Sequence, residues 1–266
     1  MRDLLVNLLA SVLAGVAVWL FERLRRYRRA ARRRAFFGIR RGTTCLLAVS
    51  KHASSPSQLS VHRRDVAALV ELATIARDCD GRADLITEDD APRGVGRVTE
   101  FCVGGPAGNP RMAAHLRALL PTVRVEALPA DPAAAGAAAG DLDLPLSVGG
   151  VTFRREPGRA EYVVLARVFG PGTNPEGGRP VFLLSGQTAR TNLAAARYLA
   201  ARHEALFRRY GATGRFCLVL RILEPDAYGA DLAELAADLT GRAFPDAAAA
   251  PPPGRGAEIS RKTSET

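Results

Sequence analysis

Residues 4–21 read LLVNLLASVLAGVAVWLF, and ERLRRYRRAARRR follows at once. Eighteen residues without a formal charge, at a helical rise of ~1.5 Å each, reach roughly 27 Å, close to a thin hydrocarbon core. Eight arginines then stand between Arg23 and Arg34 inclusive, whereas only Arg2 and Asp3 precede the run. Basic loops are retained in the cytosol. The asymmetry therefore predicts a single-pass anchor in the cell membrane, with residues 1–3 outside and the C-terminal domain cytoplasmic. A cleaved signal peptide would carry its positive charge ahead of the apolar run, with small residues at a cleavage site after it. Arginines occupy that place here.

Within the run, Asn7, Ser11 and Gly15 recur every fourth residue and share a helix face. Small and polar residues on such a stripe let two helices approach, so a homodimer through the transmembrane helix is one expectation. Chance occurrence of small residues in an alanine-rich chain is the competing one.

The net charge of +10 looks like a nucleic-acid signature until it is divided along the chain. Residues 1–41 hold eleven arginines against Asp3 and Glu22, a balance of +9, and residues 42–266 hold 26 basic against 25 acidic, a balance of +1. The charge belongs to a juxtamembrane segment, 22–41. Anionic lipid headgroups account for it, at about 1 kcal/mol per basic residue near the surface. A basic groove for nucleic acid is not expected. Leu24, Tyr27 and Phe36 are expected to rest on the membrane surface.

From residue 42 to 244 apolar runs suited to strands alternate with helical stripes. Strands are expected at 43–49, 83–87, 98–103, 123–127, 181–184 and 215–223. Helices are expected at 61–79, 110–120, 193–206 and 228–239. Residues 151–155 and 161–169 flank Glu156-Pro157-Gly158-Arg159 and read as an inserted β-hairpin. Residues 128–150 are alanine- and glycine-rich and read as a flexible loop, and 245–266 as a disordered tail. The fold class expected is α/β: one cytosolic domain with a Rossmann-like mixed sheet, helices on both faces and the hairpin.

In such a sheet ligands bind beyond the carboxyl ends of the parallel strands. Loops 50–57, 104–109 and 185–192 leave such ends. The second and third are a strand, a glycine turn and an N-capped helix, a construction that offers backbone N–H groups to phosphate or carboxylate. The residues read as ligand-binding are Lys51 and His52, then Gly104, Gly105 and Asn109, then Gly186, Thr188, Thr191 and Asn192. Neither loop matches a phosphate-binding fingerprint, since GGPAGN lacks the G-x-G-x-x-G spacing. Glycines and caps also occur at most strand-to-helix turns for geometry alone.

Glu88 and Asp89, at the end of the second strand, are the candidate catalytic acids, with a solvated turn as the alternative. The four cysteines and four histidines show no ligand spacing, so no metal site is expected and buried free thiols are. No cofactor is named by the residues. The function expected is a membrane-tethered domain that binds or senses a nucleotide-like or other phosphorylated ligand. A tethered hydrolase and a ligand-free scaffold for partner recruitment remain the alternatives.

Overall fold

The computed structural model describes residues 2–50, 60–86, 95–125, 145–170 and 177–244, and within the first helix only the backbone of Arg2 and of residues 4–11. Helix α1 (Arg2–Phe37) is continuous for 36 residues. Among the described residues no helix is long and apolar enough to cross a membrane. The described side chains of the apolar run begin at Val12.

The chain then alternates: β1 (Thr44–Val49), α2 (Arg63–Asp78), β2 (Arg82–Ile86), β3 (Glu100–Val103), α3 (Pro110–Leu119), β4 (Val123–Val125), β5 (Leu146–Val148), β6 (Val151–Phe153), β7 (Ala160–Phe169), β8 (Pro180–Gly186), α4 (Ala189–Tyr210), β9 (Phe216–Leu223), α5 (Pro225–Tyr228), β10 (Ala233–Asp238) and α6 (Thr240–Ala243). Seven strands form a mixed sheet in the order β10-β9-β7-β8-β3-β1-β2, and β4-β5-β6 form a second, antiparallel one. Half of the large sheet is parallel, β2-β1-β3-β8, and β7, β9 and β10 continue it antiparallel. The fold is mixed α/β.

Burial on both faces explains the unbroken apolar runs of the central strands, since every residue of β3, β7 and β8 is buried. One face carries α2 and α4, through Leu69, Leu72, Ile75, Leu193, Leu199 and Leu206. The opposite face carries α3, the small sheet and α6, through Met112, Leu116, Leu146, Val148 and Ala243. Caps set the helix starts. Asn109 accepts from Met112 N ahead of Pro110, and Thr188 and Thr191 form a reciprocal capping box.

Phe36 does not rest on a membrane surface. Phe36, Phe37 and Ile39 are buried with the α2 and α4 residues, and Phe37 meets Phe101 and Phe182 at ring distances of 6.1 and 5.6 Å. Leu24 and Tyr27 are exposed. The last arginines of the collar also serve the domain: Arg33 pairs with Asp78 at 2.9 Å, and Arg34 and Arg41 with Asp80 at 3.0 and 3.1 Å. Gly38 turns the chain off α1 with φ +64°, and a Cβ there would lie 2.3 Å from Pro180 Cδ.

Two further expectations are corrected. The hairpin is β5–β6, closed by Gly149-Gly150 with φ of +54° and +84°, the left-handed pair that suits a two-residue turn. Thus 146–148, expected within a flexible loop, is a strand, while residues 126–144 lie outside the described ones. β7 is drawn away from β6 because β8 and β9 pair along nearly its whole length, leaving 156–160 as a turn with one isolated bridge. Residues 228–239, expected as a helix, instead supply β10, which covers the free edge of β9. Tertiary pairing there overrides the helix preference of AELAAD.

Candidate functional site

The parallel strands bring two of the three candidate loops together. Val103 pairs with Leu184, and Gly104 N donates to Leu184 O at 2.9 Å, so the turns after β3 and β8 lie side by side. Val49 pairs with Val103, which places Ser50 beside Gly104. Ser50 Oγ lies 3.4 Å from the carbonyls of both Val103 and Gly105. The approach is close: a Cβ on Gly104, where φ is +109°, would sit 1.8 Å from that hydroxyl. Lys51 and His52, and the candidate acids Glu88 and Asp89, lie outside the described residues.

The side chains crowded after β8 are committed to the protein itself. Thr188 Oγ1 accepts from Thr191 N and donates to Glu161 Oε2 at 2.8 Å. Thr191 Oγ1 donates to Thr188 O at 2.8 Å. Asn192 Oδ1 accepts from Gly186 N at 3.0 Å, while its Nδ2 donates to the buried Asp65 at the start of α2, also at 3.0 Å. Asn109 is similarly occupied, capping α3 and donating to Val103 O at 3.1 Å. Hence these side chains build the helix starts, and a ligand at this edge would be met chiefly by backbone and by the turn at Gly105. A Cβ on Gly105 would have no heavy atom within 4 Å.

Asp65 and Ser185 were not among the residues the sequence singled out. Ser185 is fully buried, and its Oγ has no hydrogen-bond partner among the described residues. Strand alternation places it on the face of Leu183, the α3 side, next to the Gly104 turn. A single serine closing VFLLS was the only available signal.

Under α3 lies a second polar cluster that spacing did not disclose. Glu100 takes Arg111 Nε and Nη2 at 2.5 and 2.6 Å, and His115 Nε2 lies 2.8 Å from its Oε1. Burial alone would raise the Glu100 pKa; the bonds from Arg111 and His115 outweigh it and hold the carboxyl below its ordinary value. Ligand atoms of Glu100, Cys102 and His115 come within 4.8 Å of one another. Those residue types are metal ligands, yet here a guanidinium that cannot lose its proton already holds both carboxylate oxygens. The cluster is therefore arranged as a buried ion pair fastening α3 to β3.

All four cysteines are free and buried. Burial pushes the Cys79 thiol up to about 11 and Cys217 up to about 12, and raises Cys45 and Cys102 further. None is poised as a thiolate at neutral pH. Set against protein families, curated proteins and solved structures, the chain gives no match.

Proposed function

We propose that the chain is a single-pass membrane protein whose cytosolic domain is Rossmann-like in its β2-β1-β3 half and binds or senses a nucleotide-like or other phosphorylated small ligand beyond the ends of β1 and β3. The observation that carries this reading is a divergence of connections. From β1 the chain enters α2 on one face, and from β3 it enters α3 on the other. Divergence at neighbouring parallel strands opens a crevice at their carboxyl ends. The open position at Gly105, the N-terminal N–H groups of α3 and the Ser185 hydroxyl, without a partner among the described residues, all belong to that edge.

The anchor is supported by the apolar run itself and by its described half. Val12, Leu13, Val16, Val18, Leu20 and Phe21 are all about half exposed or more, an apolar surface on every side of a helix. Where the run ends, Arg23 sits over the Trp19 ring at 5.2 Å. Gly15 has no heavy atom within 4 Å of a built Cβ, which leaves room for a second anchor on the stripe it shares with Asn7 and Ser11. No observation favours the hydrolase: Asp65 and Glu161, two described acids at this edge, are engaged by Asn192 and by Arg155 and Thr188.

Thermal unfolding of the full chain in nanodiscs, against nucleotides and sugar phosphates, tests the ligand. At a hundredfold excess over Kd a true ligand adds ~2.7 kcal/mol, a shift of a few degrees. Gly105→Leu should abolish that shift without lowering the stability of the free protein. If no phosphorylated compound moves the transition, the reading fails.

A further inference from the structure

A cleft of about 370 Å³ runs between α1 and the second half of α4, away from the sheet edge. Its α1 wall is one helix face, starting at Phe21 and Leu24 and continuing through Arg25, Arg28, Arg29 and Arg32 to Arg33. Its α4 wall carries His203, Glu204, Phe207 and Arg208. Two helices of one chain thus face each other with six guanidinium groups against a single carboxylate. Like charges held so close repel one another unless an anion lies between them.

The cations are not equally available. Arg33 is paired with Asp78, and Arg25 lies 3.6 Å from Glu22. Arg28, Arg29, Arg32 and Arg208 have no carboxylate partner among the described residues. Arg208 matters most, because it comes from the folded domain and completes the site from the far side. His203 is turned to other work, with Nδ1 2.7 Å from Ala200 O and its ring against Phe37.

Position decides which anion fits. At ~1.5 Å per residue, Arg25, Arg28 and Arg32 stand roughly 6, 10 and 16 Å past Phe21 along the helix. Their long side chains lean back toward its N-terminus, so Arg25 lies within a headgroup layer ~5–8 Å deep and Arg28 and Arg32 reach toward it from the cytosolic side if the apolar run spans the hydrocarbon. The α1 side of the cleft is apolar at its start, Phe21 and Leu24, and cationic along the rest. We propose that this cleft is a discrete site for an anionic phospholipid, with the phosphate among Arg28, Arg32 and Arg208 and an acyl chain along Phe21 and Leu24. The inference rests on the membrane anchor but not on the ligand crevice. It differs from diffuse attraction to a charged surface in requiring a residue of α4.

The test extracts the full chain with mild detergent from membranes of equimolar phosphatidylcholine and phosphatidylglycerol and quantifies the lipid that copurifies. The wild type should retain phosphatidylglycerol in about tenfold preference or more, the size expected of a few basic contacts at ~1 kcal/mol each. R28Q/R32Q/R208Q should lose that preference. R23Q/R26Q, which removes charge from outside the cleft, should keep it, and R208Q alone should weaken it. Equal retention by the triple variant, or equal loss in R23Q/R26Q, overturns the discrete site. Inorganic phosphate that stabilises the chain in pure phosphatidylcholine as much as phosphatidylglycerol does assigns the cleft to free phosphate and overturns the lipid. Flotation with pure phosphatidylcholine vesicles reads the anchor separately: a chain that floats without lipid preference loses only this site, and one that does not float loses the anchor and the site with it. Circular dichroism melts of each variant establish that these exposed substitutions leave the fold intact.

Discussion

Arg167, in the middle of the sheet, donates through Nη1 to the main-chain carbonyl of Phe36 at 3.1 Å, tying the end of the first helix to β7. The same guanidinium reaches Gly214 O through Nε at 2.8 Å and Gly211 O through Nη2 at 2.9 Å, with Tyr210 O at 3.4 Å. Its Cζ lies 4.6 Å from the Phe36 ring centre and 5.2 Å from that of Phe216. Among the described residues no carboxylate neutralises it. Burial pulls its pKa down to about 10, so it remains a cation at neutral pH, held by carbonyl dipoles and ring faces. One buried charge thereby serves the C-terminal ends of both α1 and α4, where helix carbonyls lack internal partners.

Replacing it should be costly. Arg167→Met keeps the bulk but leaves several buried carbonyls without a donor, and should lower unfolding free energy by about 3 kcal/mol. Arg167→Lys should recover only part, since a single ammonium lacks the planar fork that spans two helix ends. Denaturant unfolding of the full chain measures both. A loss under about 1 kcal/mol for Arg167→Met would mean that water satisfies those carbonyls.

The domain begins earlier than its charge pattern suggests. A fragment spanning 42–244 lacks Phe36, Phe37 and Ile39, all buried in the main core. Side chains of that size contribute about 1.5–3 kcal/mol each, which together rivals the whole stability of an ordinary domain. Fragment 42–244 should therefore be unfolded or aggregated, whereas 22–244 should fold cooperatively. Comparing their melts and amide exchange checks this.

Acid should loosen α3 through Glu100. Its pKa is lower folded than unfolded, so the native state binds fewer protons. The stabilisation is then complete above the ordinary glutamate value of 4.5 and is lost as the pH falls below it, through the folded pKa. Asp238, also lowered, by bonds from Thr240 and Tyr210 that outweigh its burial, adds to the same limb. Glu100→Gln should cost about 3 kcal/mol at neutral pH by leaving Arg111 short of its partner, and should flatten the acid limb without removing it. Unfolding curves across the acidic range decide the point.

Much of the fold was legible because its signals are local. The Asn109 cap ahead of Pro110 fixed the start of α3, and the runs TCLLAV and EFCV are those of strands buried on both faces. Pairing was not legible. Nothing local in 151–169 says that β7 will prefer β8 and β9 to its sequence neighbour, and AELAAD becomes a strand only because β9 offers a free edge. The arginine collar concealed the domain boundary, because Phe36 follows the eight arginines of residues 23–34 and reads as a continuation of the membrane-facing segment. The candidate site was half legible. Gly104 and Gly186 do lie in turns that the structure places side by side, but the hydroxyls read as ligand contacts are used up by the helix start they cap.

That distinction between building an edge and contacting a ligand gives the last prediction, a contrast between two glycines. A Cβ on Gly186 would lie 1.9 Å from Thr191 Oγ1 and 3.0 Å from Asn192 Oδ1, so Gly186→Ala must push apart the capping box and the bridge to Asp65. It should cost on the order of 2 kcal/mol, as lost caps and overpacking do. A Cβ on Gly105 meets nothing within 4 Å, so Gly105→Ala should leave the melting temperature within about a degree of wild type. If Gly105→Ala destabilises as much as Gly186→Ala, the space beside Gly105 is filled by the protein itself, and the crevice is not a place for a ligand. If it is silent for stability but weakens the binding of a phosphorylated compound, the contact is with the ligand, because no part of the fold has been disturbed.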